Sequence, residues 1–266
     1  MSTYSDEHIK FLKKLKRDKL IIRSFRILIF ISFIVIWEIL AKNNLINTFL
    51  YSSPSKVLTT LINLSSSGEL IKHIKITLYE VITSFAISSV LGILIATIFW
   101  FNDKVSKILD PYITIINSLP KVALGPLIII WVGASINSII FMALMISIFT
   151  TIINVYTGFI SVDSDYITMM RSFKASKLQI FKYVIFPSSM DTIISTLKIN
   201  ISLNLIGVIM GELLVSKKGL GYLIMYGSQV FNLDLVISSI FILGIISYLM
   251  YFIVDKISLI NKKKIS

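Results

Sequence analysis

Six apolar runs, at 25–41, 76–101, 112–132, 136–159, 193–215 and 235–254, constrain this chain more than anything else in it. A helix that crosses the hydrocarbon of a bilayer needs ~20 largely apolar residues. Backbone polar groups have no water to bond there, so such runs fold as helices rather than as open sheet or coil. The first run, 17 residues long, exceeds the apolar core of a secretory signal and has no small-x-small cleavage site behind it, so it reads as an uncleaved anchor. The expectation is an all-α polytopic membrane protein. A basic segment at 1–24 precedes a six-helix transmembrane domain at 25–255, and a basic tail follows at 256–266. Composition agrees: 55% of residues are apolar and 15% charged, against roughly 45–50% and about 25% in soluble domains.

The charges say how the helices run. Eight Lys and Arg residues, from Lys10 to Arg26, lie before the first span or at its start. Placing that end inside also puts inside Lys104 and Lys107, then Arg171, Lys174, Lys177 and Lys182, and finally Lys256 and Lys262 to Lys264. That gives 18 basic residues inside against six outside, which obeys the positive-inside rule and leaves both termini in the cytoplasm. The N-terminal stretch spaces Ile9, Leu12, Leu15 and Leu20 helically among its lysines. It is either an interfacial helix on the anionic inner leaflet or a solvated basic tail.

Several chemistries are excluded. The net charge of +12 sits outside and between the apolar runs, and no basic stripe interleaved with aromatics is present, so nucleic acid is not an expected partner. There is no cysteine, and His8 and His73 fall in polar flanks without acidic clusters, so no metal site is expected. No G-x-x-x-x-G-K-[ST] phosphate loop occurs, so this chain does not hydrolyse ATP and no catalytic residue is assigned.

Most connections are short, but 161–191 is long and polar, and it has an internal pattern. Asp163 and Ser164 are candidate N-caps, and Tyr166, Met169, Met170 and Phe173 follow at i, i+3, i+4, i+7, the stripe of a short helix. Ser176 and Gln179 fit a capping box, in which the serine oxygen accepts from the third backbone N–H and the glutamine reaches back. Leu178, Phe181 and Ile185 continue a second stripe, ended by Pro187. The loop is therefore a helix–turn–helix on the inner face. Its Met and Phe side chains either take a partner, for which methionine's adaptable shape suits them, or pack back on the bundle.

Within the spans, Asn200, Asn204, Gly207 and Gly211 recur at i, i+4, i+7, i+11 and so share one helix face. The glycines form a G-x-x-x-G pair that admits a close neighbouring helix. The asparagines are candidates for a translocation path, because two amides facing lipid would be expensive. Glu212 is a path candidate or an interfacial partner of Lys217, and Glu80 is expected at the outer interface. In the third run Pro120 and Pro126 each remove a backbone donor, so that span should be broken, with Lys121 between them facing an anion or reaching the inner interface. Lys198 is expected to snorkel.

Three ordered blocks carry a resemblance. The stretch YITMMRSFKASKLQIFKYVIFP at 166–187 resembles the cytoplasmic "EAA" loop of ABC importer permeases, with Arg171, Ser172, Phe173, Ala175, Ser176, Phe181, Val184, Phe186 and Pro187 at the family's positions. SLPKVALGPLIIIWVGAS at 118–135 and GELLVSKKGLGYLIMYGSQV at 211–230 are similar to the nitrate/sulfonate/taurine branch, as are Trp37-Glu38 and Ser53-Pro54-Ser55. The chain departs from the pattern at Thr168, Met169 and Met170, which replace Glu-Ala-Ala, at Lys174, which replaces glycine, and at Asp191, which replaces a proline. Glycine at that point ends the first helix in a left-handed turn, so Lys174 either carries that strain or the turn differs.

The resemblance implies a type I ABC importer permease. Two permease copies would form the path, and two cytoplasmic ABC ATPase subunits, which bind ATP and Mg, would each grip a loop through Tyr166, Thr168, Met169, Met170, Phe173, Lys174, Ala175, Ser176, Phe181 and Pro187. An extracytoplasmic solute-binding protein would deliver the solute. The branch implies a small oxyanion or sulfonate, with taurine, thiamine-precursor pyrimidines and flavins carried by related permeases. A stand-alone secondary transporter or channel is the competing reading, and the patterned loop argues against it.

Overall fold

The structure is a computed structural model that describes the backbone of residues 6–265 and the side chains of residues 11–256. The expectations for the side chains of His8, Ile9 and Lys10 and for the lysines of the tail beyond Lys256 lie outside the described residues. All described regular structure is helical. Among the described residues five helices are long and apolar enough to cross a bilayer singly, or six if the bent pair at 103–118 and 121–132 counts as one span.

The first helix, α1 (Asp6–Lys42), joins the basic segment and the first apolar run without interruption. No glycine or proline occurs between its ends, and Lys, Leu, Arg and Ile keep the helical pattern going. Its 37 residues reach about 55 Å at 1.5 Å per residue, against ~30 Å of hydrocarbon. The basic stretch is thus continuous with the helix of the first apolar run. Two short helices, α2 (Thr48–Tyr51) and α3 (Pro54–Ser66), follow. Ser53 caps α3 by accepting from the Lys56 N–H, with Pro54 in the first turn, where a missing donor does no harm. Glu38 of α1 accepts from both the Ser55 N–H and its hydroxyl, so Trp37-Glu38 and Ser53-Pro54-Ser55 are two sides of one clasp.

Three long helices form the centre: α4 (Glu69–Phe101), α7 (Ile136–Ile160) and α11 (Met190–Val215). Val81 of α4, Ile139 and Ala143 of α7, and Leu205 and Val208 of α11 make a buried cluster between them. The close approach depends on Gly207 and Gly211: a Cβ on Gly207 would lie 2.4 Å from the Ala143 Cα, and one on Gly211 3.0 Å from the Ile139 Cα. At one end α12 (Leu220–Gln229) and α13 (Leu233–Ile265) pack through Leu220, Leu223, Leu235, Ile242 and Ile246.

The third run is broken, as its prolines require. Helix α5 (Asp103–Ser118) stops before Leu119-Pro120, a 3-10 turn covers Lys121–Leu124, and α6 (Gly125–Val132) leaves at 85° to α5. The far side of the molecule, bearing α12, is called the far face below. The opposite side carries three short helices, α8 (Ser164–Ser172), α9 (Lys177–Ile180) and α10 (Phe186–Ser188), and is called the loop face.

Candidate functional site

The loop face follows its sequence pattern closely. Asp163 caps α8 by accepting from the Asp165 N–H at 2.9 Å. The capping box is complete, with Gln179 N–H donating to Ser176 Oγ at 3.3 Å and Ser176 N–H to Gln179 Oε1 at 2.7 Å. Between the helices Lys174 adopts φ +58°, the left-handed conformation. Its N–H donates to the Arg171 carbonyl at 2.8 Å and the Ala175 N–H to the Met170 carbonyl at 3.0 Å, the two bonds of a Schellman turn. Lys174 therefore holds the conformation that glycine would hold without a Cβ penalty. Lys174→Gly should stabilise this turn by about 1 kcal/mol, read as slower hydrogen exchange at Lys174 and Ala175 and a higher melting midpoint.

The apolar stripe of α8 splits between two duties. Met170, with Ile167, packs back on Val155, Phe159, Ile180 and Ile193. Tyr166, Met169 and Phe173 point outward, with Phe173 77% exposed; Thr168 is exposed with them and Ala175 is half-buried beside them. After α9 the chain makes one π turn, Phe181–Ile185, closed by Phe186 N–H to the Phe181 carbonyl. Pro187 explains it: the ring removes one N–H and crowds the carbonyl four residues back. Phe181 fills an aromatic cluster, its ring 5.1 Å from Trp100 and 5.3 Å from Phe159. Lys177 completes the attachment by donating to the Phe101 carbonyl at 2.7 Å, at the C-terminus of α4, with its ammonium 5.4 Å above Trp100. A cation there complements the helix dipole. The loop is thus tied to α4, α7 and α11 on one side and presents an apolar row on the other.

A second polar constellation runs inside the bundle. Asn204 donates to Ser88 Oγ at 3.1 Å and to the Asn200 carbonyl at 2.8 Å, and its Oδ1 accepts from Ser147. Asn200 donates to Ser89 Oγ at 2.8 Å. Both asparagines are buried between α4, α7 and α11, so the face read as a path candidate is closed within the protomer by the glycine contacts beside it. Glu212 is buried too and does not pair with Lys217. It accepts from Thr77 Oγ1 at 2.6 Å and from the Gly221 N–H at 2.5 Å. Glu80 is wholly buried beside it. His73, read as a flank residue, is buried and accepts from the Gly219 N–H at 2.9 Å.

The reason lies in a pattern on α4 that the sequence reading passed over. His73, Thr77, Glu80, Ser84 and Ser88 recur at i, i+4, i+7, i+11, i+15, one polar stripe through an apolar run, and all five are buried. The same spacing test that grouped the asparagines on α11 groups these five on one face of α4, without saying which helix that face meets. Lys121, half-buried, donates to Asn117 Oδ1 at 2.7 Å and to the Ile146 carbonyl at 3.2 Å, pinning the break to α7. Lys198 forms an ion pair with Asp255 of α13. Pro120 stays exposed at the break.

Residues 88–266 match the family model described as binding-protein-dependent transport system inner membrane component. The formylaminopyrimidine transport permease protein of Halalkalibacterium halodurans is 30% identical over 86% of this chain and 91% of its own length. The putative aliphatic sulfonates transport permease protein of Bacillus subtilis is 26% identical over 81% of this chain and 78% of its own. The taurine transport system permease protein of Escherichia coli is 24% identical over 82% and 81%. In fold, a chain of the inward-facing MetNI methionine ABC transporter superposes with a TM-score of 0.64 at 18% identity, covering 73% of this chain and 96% of that one.

Proposed function

This chain belongs to the binding-protein-dependent transport inner-membrane components, a multi-pass family of ABC importer permeases, and on that premise we propose that two copies form the translocation path and that the loop face couples it to ATPase subunits. The observation that carries the proposal is the loop itself. Tyr166, Met169 and Phe173 present an apolar row on an element fastened to the bundle through Lys177 and Phe181. A row left free on a rigid mount transmits a push from a docked partner to α4 and α11 without dissipating it in a mobile loop.

Two ATPase subunits, carrying ATP and Mg, each grip one such row, and their closure rocks the two bundles as rigid bodies. By the positive-inside bias the loop face and both termini are cytoplasmic. A solute-binding protein then delivers cargo at the far face. Support for a paired path comes from the break at Leu119-Pro120: irregular backbone at membrane depth persists only where protein or a water-filled cavity covers it, and here it is exposed on the protomer. A second copy supplies that cover and encloses the path along α5 and α6.

The proposed cargo is a small sulfonated or similar anion, the class named for two of the relatives. A pyrimidine of the thiamine-precursor type is the second reading, favoured by the 30% identical relative. The test is uptake of labelled taurine, an alkanesulfonate and formylaminopyrimidine into vesicles that hold the chain, its ATPase and its binding protein. The sulfonated solutes should be taken up only with ATP inside, and the purified chain alone should hydrolyse no ATP. ATP turnover by the chain alone, or uptake without the ATPase, would sink the reading.

A further inference from the structure

Glu80 and Glu212 form a buried acidic pair that the transport reading does not use. Glu212 has its charge met: Thr77 donates to Oε1, the Gly221 N–H donates to Oε2, and the carboxylate lies at the N-terminus of ten-residue α12, the positive end of that helix. Glu80 has nothing comparable. Its side chain is 0% exposed, neither carboxylate oxygen meets a donor, and the group against it is the Glu212 carboxyl. Among the described residues no Lys, Arg or His forms an ion pair with either acid. Glu69 and Lys72 pair with each other at the exposed start of α4.

An isolated carboxylate in an apolar interior costs several kcal/mol, and a second one beside it raises the cost further. One compensating charge removes both penalties. We propose that Glu80 and Glu212, with the Thr77 hydroxyl, hold one monovalent cation: a proton bridging the carboxyls or an alkali ion. A divalent ion is disfavoured on two grounds. It would overcompensate, since Glu212 is already partnered, and calcium takes about six to eight oxygen ligands, more than two carboxyls and one hydroxyl offer. Glu80 stands eleven residues into α4, about 16 Å along its axis, where α4, α11 and α12 meet. The cation therefore ties α12, through Gly221 and Leu220, to the central bundle.

The experiment uses the full chain in lipid nanodiscs, wild type and Glu80→Gln. The alkali arm replaces choline by sodium or potassium and follows the melting midpoint; a rise in wild type that is lost in E80Q supports an alkali ion. The proton arm records the infrared stretch of an un-ionised carboxylic acid at neutral pH, with its shift in D2O; a band present in wild type and missing from E80Q supports a bridging proton. Wild type that shows neither, or E80Q that folds and keeps the signal, overturns the proposal. If E80Q does not fold, Glu80→Met, apolar and of similar length, replaces it, and the two wild-type measurements decide on their own.

Discussion

Gly207→Leu should all but abolish folded permease in the membrane. At this position even one methyl group would lie 2.4 Å from the Cα of Ala143 and 3.0 Å from its Cβ. The obstruction is backbone, which no rotamer change can move aside. Overpacking by a methylene costs about 1–3 kcal/mol where neighbours can yield, and here α7 would have to separate from α11. That separation also pulls Ser147 from Asn204 and leaves the buried amide of Asn204 short of a partner. Gly244 is the internal control, since a Cβ there meets nothing within 4 Å, so Gly244→Leu should accumulate and melt like wild type. Membrane yield and the melting midpoint of the two variants check the contrast. Equal yields would show that the α7–α11 seam is looser than its geometry.

Much of this seam was readable before any coordinates. The G-x-x-x-G spacing marks Gly207 and Gly211 as a contact face, and the structure puts Ala143 and Ile139 of α7 against them. The break after Ser118 follows from Pro120 and Pro126, and both caps of the loop follow from Asp163, Ser176 and Gln179. What escaped was pairing across helices. Periodicity tells which residues of one helix share a face, but not which helix that face meets. Asn200 and Asn204 were therefore visible as an expensive polar face, while their partners Ser88, Ser89 and Ser147 were not. Serines within spans carry no warning, because each can bond its own helix backbone, as Ser84 does to Val81.

The far face escaped for a related reason. Glu80, Glu212 and His73 look interfacial when distance is counted along one span. Helix α12 then folds over that end and buries them. Its ten residues are too few to register as a span, and its glycines look like a loop. Lys177 illustrates the same limit on the loop face. One more basic residue in a basic loop has no signature, yet its bond to the Phe101 carbonyl fastens the loop to α4.

That attachment decides how the coupling loop should fail. Replacing Met169 and Phe173 together by glutamate removes the exposed row and leaves the fastening untouched, because neither residue belongs to the buried cluster beneath α8. Anchors of this kind contribute about 2 kcal/mol each to a docked interface, so the pair should weaken capture of the ATPase by about 1,000-fold. Uptake should fall to background while membrane yield and melting midpoint stay at wild-type values. Met170→Glu separates docking from folding. It drives a charge against Val155, Phe159 and Ile193, so its yield should drop along with its uptake. Co-purification of the ATPase, set against yield for each variant, reads the distinction. A Met169→Glu/Phe173→Glu chain that still captures the ATPase would move the docking surface off α8, leaving Leu178, 65% exposed on α9, as the next apolar contact on that face.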